Sequence, residues 1–365
     1  MRTLRVTMVG LLLLSAVAGA DDLRVIVGFK GTPNASLLTK HGATEQRALS
    51  NLHASVAMLP ARAISDLRAE ADVAYVEEDG VAEALAKPSG GSPAQPAQQT
   101  PWGVTQVGAP VSGNTGSGIN VAVIDTGIDL DHPDLKANIA GSVDFTGSRK
   151  GADDENGHGT HVAGTIGALQ NSIGVVGVAP GVSLYAVRVL DRRGYGWWSD
   201  IAEGIDWCAG HGIHVANMSL GGSSAPTAVK TACDSASASV LLVAAAGNSG
   251  DGNTSTTETS YPAAYTSVVA VGATNSSNGL ASFSNTGTYL ELCGPGVSVL
   301  STYKGAGYAT LSGTSMSSPH AAGVAALLLA SGSTASTVRG NLQTRAWDLG
   351  STGPDMGFGW GLVHY

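Results

Sequence analysis

The sequence predicts an α/β fold, a mostly parallel sheet with helices on both faces, preceded by a small α+β unit. Three observations carry that expectation. Beyond Trp102, short apolar runs recur at Ile119 to Ile124, His214 to Leu220, Val240 to Ala246 and Ser267 to Val271, and their unbroken hydrophobicity fits strands covered on both faces. Helix-like segments alternate with these runs across Gly- and Asn-rich turns, which is the order of a parallel sheet. Finally, 43% hydrophobic residues, 13% charged residues and 50 glycines describe a compact, turn-rich chain.

From the N-terminus, Arg2 and Arg5 precede an apolar run around Val9 to Val17, and Ala18-Gly19-Ala20 has the small-residue form of a cleavage site. Residues 1–20 therefore read as a secretory signal, with the processed chain starting near Asp21. The run is shorter than the ~20 apolar residues of a membrane span. A strand from Arg24, an apolar run His53 to Leu59, a helix-like stretch from Pro60 to about Ala71 and a strand Val73 to Glu78 make a small unit over residues 21–85. Residues 86–96, rich in Pro, Gly, Ser and Gln, read as an exposed linker, and residues 97–365 as the main domain.

The formal charge of −9 lacks the basic footprint of a nucleic-acid binder. Three cysteines, Cys208, Cys233 and Cys293, exclude a disulfide scaffold and lack zinc-site spacing. One bridge at most can form.

Four motifs fall where strands end or helices begin, the edge at which open α/β sheets hold ligands. A strand ends in Asp125-Thr-Gly; Asn156-Gly-His158-Gly-Thr-His161 opens a helix pattern; Val243-Ala-Ala-Ala-Gly-Asn248 ends a strand; Gly313-Thr-Ser315-Met-Ser-Ser-Pro319 opens a helix through Leu329. Each alone is more often a satisfied turn or cap residue. Together they supply a nucleophile (Ser315), a base (His158), an orienting carboxylate (Asp125) and a polar donor (Asn248). A serine hydroxyl needs such a base, and the base needs a partner to fix its tautomer. Ser315 at a helix start gains the positive end of the dipole and a free N–H, and Pro319 is placed in the first turn. The rival assignments are a metal-dependent hydrolase using His158, His161 and the Asp125 to Asp134 carboxylates, and a catalytically silent protein on the same fold.

On these motifs, read in the order Asp125, His158, Ser315, the sequence resembles the subtilisin-like serine proteases, or subtilases. The likeness extends through Ser183-Leu-Tyr-Ala-Val-Arg-Val-Leu190 and Asn217-Met-Ser-Leu-Gly-Gly222, and the N-terminal unit, particularly Ala74-Tyr-Val-Glu-Glu-Asp79, is similar to the family's inhibitor-type propeptide. The resemblance implies a secreted, monomeric endopeptidase acting on proteins and peptides, inhibited by its own propeptide, with no nucleic-acid or membrane partner. It implies that Asn248 is the oxyanion donor. By the same resemblance, Ser219, Leu220, Gly221, Ala245, Ala246 and Gly247 should wall a pocket for a large apolar residue before the scissile bond, with Ser260 near its floor. The resemblance likewise implies that Gly194, Tyr195 and Gly196 pair with the substrate as an added strand. Trp197 and Trp198 stand where the family usually has one smaller or single aromatic site. A structural calcium site is implied at Gln98, Asp134, Leu169, Asn171, Ile173 and Val175, with Asp129, Asp131 and His132 as nearby surface charges. Cys208 and Cys233 fall on neighbouring helices, leaving a bridge and free buried thiols both open. Self-cleavage is expected after Leu85, with Val81 to Leu85 extended in the cleft and Ala82 near Trp198; the alternative first cut is near Ala97.

Overall fold

The computed structural model describes residues 22–86 and 95–365. The signal, its cleavage point and most of the linker lie outside the described residues.

The N-terminal unit comprises β1 (Asp22–Phe29), α1 (Ala35–Lys40), β2 (Gln46–Leu49), β3 (Ala54–Pro60), α2 (Ala63–Arg68) and β4 (Val73–Glu78). Its antiparallel sheet has the order β2-β3-β1-β4. Both faces are covered, which explains the unbroken Val-Ile-Val run in β1. Val25 and Val27 pack with Leu38 and Leu67 of the two helices, whereas Ile26, one step along the pleat, joins a cluster with residues of the main domain. The helix expected from Pro60 to Ala71 is only six residues long. The polar stretch before it also holds α1, whose cap Asn34 accepts the Leu37 N–H at 3.0 Å.

β5 (Val81–Ala84) leads into the linker, and the main domain follows. Its elements are α3 (Trp102–Gln106), β6 (Asn120–Asp125), β7 (Ile139–Asp144), α4 (His158–Gly167), β8 (Ser183–Arg188), β9 (Tyr195–Trp197), α5 (Trp198–Gly210), β10 (Val215–Met218), β11 (Leu220–Gly221), α6 (Thr227–Ala236), β12 (Leu241–Ala245), β13 (Val268–Thr274), β14 (Leu292–Pro295), β15 (Val299–Tyr303), β16 (Gly307–Leu311), α7 (Thr314–Ala330) and α8 (Val338–Arg345). Seven of the strands form one parallel sheet, ordered β14-β13-β12-β10-β6-β8-β7. Val121 and Val123 of β6 face α4 and α7, while Ala122 and Ile124 face α5 and α6. The apolar run from His214 to Leu220 divides, because β11 leaves the main sheet to join a second, three-stranded one.

β6 lies between β8 and β10, so the chain crosses over it to build the sheet's other half. The carboxyl ends of β6, β10 and β12 meet at this reversal of strand order, where α/β sheets open a crevice. Cys208 and Cys233 sit on α5 and α6 in one cluster, and all three cysteines are free and buried. Burial pushes each thiol pKa well above its ordinary value.

Candidate active site

Asp125 is the last residue of β6 and His158 the first of α4, and both are buried. His158 Nδ1 lies 2.7 Å from Asp125 Oδ1, which also accepts the Thr126 N–H at 2.7 Å. With Nδ1–H donating, Nε2 is the ring's acceptor. It is buried with no hydrogen-bond partner among the described residues. Burial disfavours the charged ring, but the Asp125 charge, the hydrogen bond to it and the Asp154 charge outweigh that effect and hold the His158 pKa above its usual value.

Asp154 escaped the sequence reading. Its Oδ1 accepts from Thr126 Oγ1 (2.9 Å) and the N–H groups of Asn156 (2.8 Å) and Gly157 (2.9 Å); Oδ2 accepts from the Thr160 N–H (3.0 Å) and Oγ1 (2.6 Å). One buried carboxylate thus ties the turn after Asp125 to the start of the His158 helix. Burial pushes its pKa up while the hydrogen bonds from Thr160, Gly157 and Asn156 oppose the rise. An acidic residue four positions before a helix-opening histidine, ahead of Asn-Gly, was the available signal.

Ser315 is the second residue of α7, so its N–H has no carbonyl four residues back within the helix. Its hydroxyl donates to the Ser219 carbonyl at 2.9 Å. Pro319 falls in the second turn, not the first. Lacking an N–H, it leaves the Ser315 carbonyl free to accept Ser219 Oγ at 2.9 Å. The proline therefore couples the end of β10 to the serine helix. Asn248 is oriented by the Thr314 N–H and Oγ1, at 2.9 and 3.0 Å from its Oδ1, which aims its Nδ2 donor outward.

That donor bonds the Leu85 carbonyl. The tail of the N-terminal unit forms the centre of the three-stranded sheet β11-β5-β9, with Ala82 opposite Gly196, Glu83 opposite Tyr195 and Gly221, and Ala84 opposite Leu220. The Ala84 N–H reaches the Gly194 carbonyl at 2.9 Å and the Leu85 N–H reaches that of Ser219 at 3.2 Å. A Cβ on Gly313 would lie 2.5 Å from the Leu85 oxygen, so only glycine admits that carbonyl beside Ser315. A Cβ on Gly221 would meet Leu85 Cδ1 at 3.1 Å and Ser260 Oγ at 2.5 Å, and one on Gly247 would meet Ser260 Cβ at 3.0 Å. The Leu85 side chain thus enters a pocket walled by glycine backbone, with Ser260 between the walls; Ala245 ends the neighbouring strand β12 and Ala246 follows it. A cleft of about 780 Å³ runs alongside the tail, lined by Glu83 to Ala86 together with Asn156, Tyr195, Asn248, Phe283 and Leu311.

His161 is not part of a metal pair. Its Nε2 lies 3.1 Å from the carbonyls of Val299 and Ala309, and burial pushes its pKa down to about 3. Of the expected surface charges, Asp129 and His132 are instead buried: Asp129 Oδ2 accepts the Ala306 N–H at 3.0 Å, and His132 Nε2 bonds the Gly307 carbonyl at 2.9 Å.

The six residues of the expected calcium site come together. Leu169 O, Asn171 Oδ1 and Val175 O converge on Gln98 Nε2 at 2.7, 3.3 and 3.3 Å. Asp134 accepts Asn171 Nδ2 (2.8 Å) and the Val175 N–H (3.0 Å), and the Ile173 N–H reaches Asn171 Oδ1 at 2.7 Å. Three oxygens aimed at one point, one carboxylate beside them, and a glutamine whose half-turned amide would add a fourth oxygen fit a hard cation. No group of three or more His, Cys, Asp or Glu side chains able to hold a metal occurs among the described residues.

A parallel sheet presenting a buried Asp–His pair, a helix-start serine and a strand-paired peptide at one crevice defines a serine peptidase. The model of the subtilase family matches residues 116–361. Subtilisin E of Bacillus subtilis (strain 168) is 43% identical over 364 residues, 96% of this chain and 91% of its own. M-protease of Shouchella clausii (strain KSM-K16) is 47% identical over 307 residues, 82% of this chain and 75% of its own. Subtilisin Savinase of Lederbergia lenta is 51% identical over 274 residues, 73% of this chain and 98% of its own. The chain belongs to the subtilase family and is a subtilisin-type serine endopeptidase.

Proposed function

We propose that Ser315, His158 and Asp125 form the catalytic triad, with Asn248 completing the oxyanion hole, and that the enzyme matures by cutting its own Leu85–Ala86 bond. The observation that carries this reading is the Leu85 carbonyl, bonded by Asn248 at the edge of the Ser315 turn, at the end of a tail paired on both sides within the cleft. The Ser315 hydroxyl turns from the Ser219 carbonyl toward His158 Nε2, which takes its proton as Oγ attacks the Leu85 carbonyl carbon. Asn248 Nδ2 and the Ser315 N–H hold the resulting oxyanion. The intermediate collapses, the C–N bond breaks and His158 gives its proton to the Ala86 nitrogen, leaving Leu85 as an acyl ester on Ser315. Water, activated by the same imidazole, hydrolyses the ester. Asp125 holds the tautomer throughout.

Residues 21–85 then act as a propeptide that stays bound as an inhibitor, 86–96 is trimmed as a linker, and 97–365 is the peptidase. The glycine-walled pocket favours large apolar residues such as Leu85 before the scissile bond. Gln98, Asp134, Leu169, Asn171, Ile173 and Val175 hold calcium, which ties the N-terminal segment of the mature domain to the 169–175 loop. The signal-like residues 1–20 direct secretion, and the processed enzyme acts as a monomer on protein and peptide substrates.

N-terminal sequencing of a slow-processing Asn248→Ala variant tests the first cut. A product starting at Ala86 supports the reading. One beginning only at or after Ala97 overturns it.

A further inference from the structure

Two aromatic side chains stand on the open edge of the cleft, and no role has yet been given to their rings. In β9, Tyr195 and Trp197 are 49 and 40% exposed, whereas Gly196 between them is buried. Strand alternation places the two rings on one face. The tail alternates in the same way. Ala82 is 1% exposed and shares a cluster with the buried Trp198, while its neighbour Val81 is 48% exposed. Val81 lies directly opposite Trp197 in the antiparallel register. Directly opposed residues share a face, so Val81 stands beside the indole and away from the pocket that takes Ala82. In the intact chain, the Arg24 guanidinium covers the Trp197 ring at 4.8 Å from its centroid. Arg24 belongs to β1, and its departure with the N-terminal unit uncovers the ring.

We propose that Trp197 forms an additional substrate subsite, which receives an apolar β-branched or aromatic side chain five residues before the scissile bond. The inference rests on the reading that substrates run through the cleft as β5 does. Trp198 itself serves the opposite face, since its buried ring packs with Ala82. Residue-against-residue pairing on this edge stops at the fifth residue because β9 ends there: Trp198 begins α5, and beyond it only the Trp198 N–H continues the ladder, to the carbonyl of the sixth residue, Gly80, at 3.1 Å. An aromatic ring beside a β-branched side chain across an antiparallel pair confers a preference of about 1.5- to 5-fold over a residue that makes no such contact.

The experiment uses the processed enzyme and fluorogenic peptides of the form X-Ala-Glu-Ala-Leu, cleaved after Leu, with X as Val, Phe, Gly, Asp or Arg, together with the tetrapeptide lacking X. For the wild-type enzyme, kcat/KM should be about 1.5- to 5-fold higher with Val or Phe than with Gly or Asp. In Trp197→Thr that ratio should fall to about one. Because the readout is a ratio within each enzyme, a general loss of activity in the variant cancels. A flat series in the wild type, a ratio unchanged in Trp197→Thr, or a preference for Arg above Val overturns the proposal. Hydrolysis of the tetrapeptide, and its loss in Ser315→Ala, reports independently on the proposed mechanism.

Discussion

Replacing Asp79 by Ala should release the N-terminal unit from the peptidase. Asp79 is buried between the two, accepting the Ser199 N–H at 3.0 Å and Ser199 Oγ at 2.7 Å at the start of α5, with Arg24 Nε at 2.7 Å from its own unit. Two of these bonds cross the interface, and each involves a charged acceptor worth about 1.5 to 3 kcal/mol. Losing both at the lower value costs about 3 kcal/mol, a weakening on the order of 100-fold. The assay dilutes the purified cleaved complex into fluorogenic peptide and follows the onset of hydrolysis against complex concentration. The dissociation constant should rise about 100-fold, while Glu78→Ala, at an exposed neighbouring position, should leave it unchanged. Should Asp79→Ala fail to fold, Ser199→Ala removes the hydroxyl that donates to Asp79 and accepts from Arg24 Nη2 (3.3 Å) and Arg47 Nη2 (3.1 Å), and should weaken the complex by at least about 10-fold. A complex as tight as wild type in both variants would refute the reasoning.

Ser315→Ala, His158→Ala and Asp125→Ala should each nearly abolish peptide hydrolysis, and combining them should add little, because the three act as one unit; the measurement is kcat/KM for singles and multiples. The neutral imidazole is the working form, and the charges of Asp125 and Asp154 hold its pKa above the ordinary 6.5, so activity should fall as pH drops through that raised value. Asp154→Asn removes one of those charges, so the acid limb of the pH–kcat/KM profile should move to lower pH; Thr126→Val, which keeps the carboxylate, should lower the rate without moving the limb. Exhaustive chelation should lower the melting temperature and speed autolysis, since calcium bound only to the folded state stabilises it by mass action, and Asp134→Ala should become insensitive to chelation. Alkylation of the unfolded, unreduced chain should label Cys208, Cys233 and Cys293, read by mass spectrometry.

The buried sheet was the most legible part of the chain, because strands covered on both faces leave uninterrupted apolar runs. The strand Val73–Glu78 was read at the bounds it has in the fold, whereas β2 went unread, since an edge strand with half-exposed polar residues carries no such signal. The end of the His214 to Leu220 run was misjudged for a related reason: hydropathy cannot tell which sheet a buried residue joins. The proposed catalytic side chains were nameable in the sequence through chemistry, because a nucleophile, a base and a donor each call for a residue type. Asp154 was not, since its role lies in five hydrogen bonds to backbone and threonines drawn together only by folding. His132 was misplaced for the opposite reason. An imidazole that bonds a carbonyl from a hairpin 175 residues away looks, in sequence, like any surface histidine.

The peptide in the cleft is held by its backbone along both edges, between β9 and β11. A chain segment fits that slot only if its own amides and carbonyls are unspent over several consecutive residues. Helices and interior strands of a native protein have already committed those groups, so they must first come undone locally before they can be threaded. For a folded target, the rate of cutting therefore follows the fraction of time that a segment is open more closely than it follows the residue before the bond. Against native proteins, an enzyme with such a slot is a gauge of local unfolding.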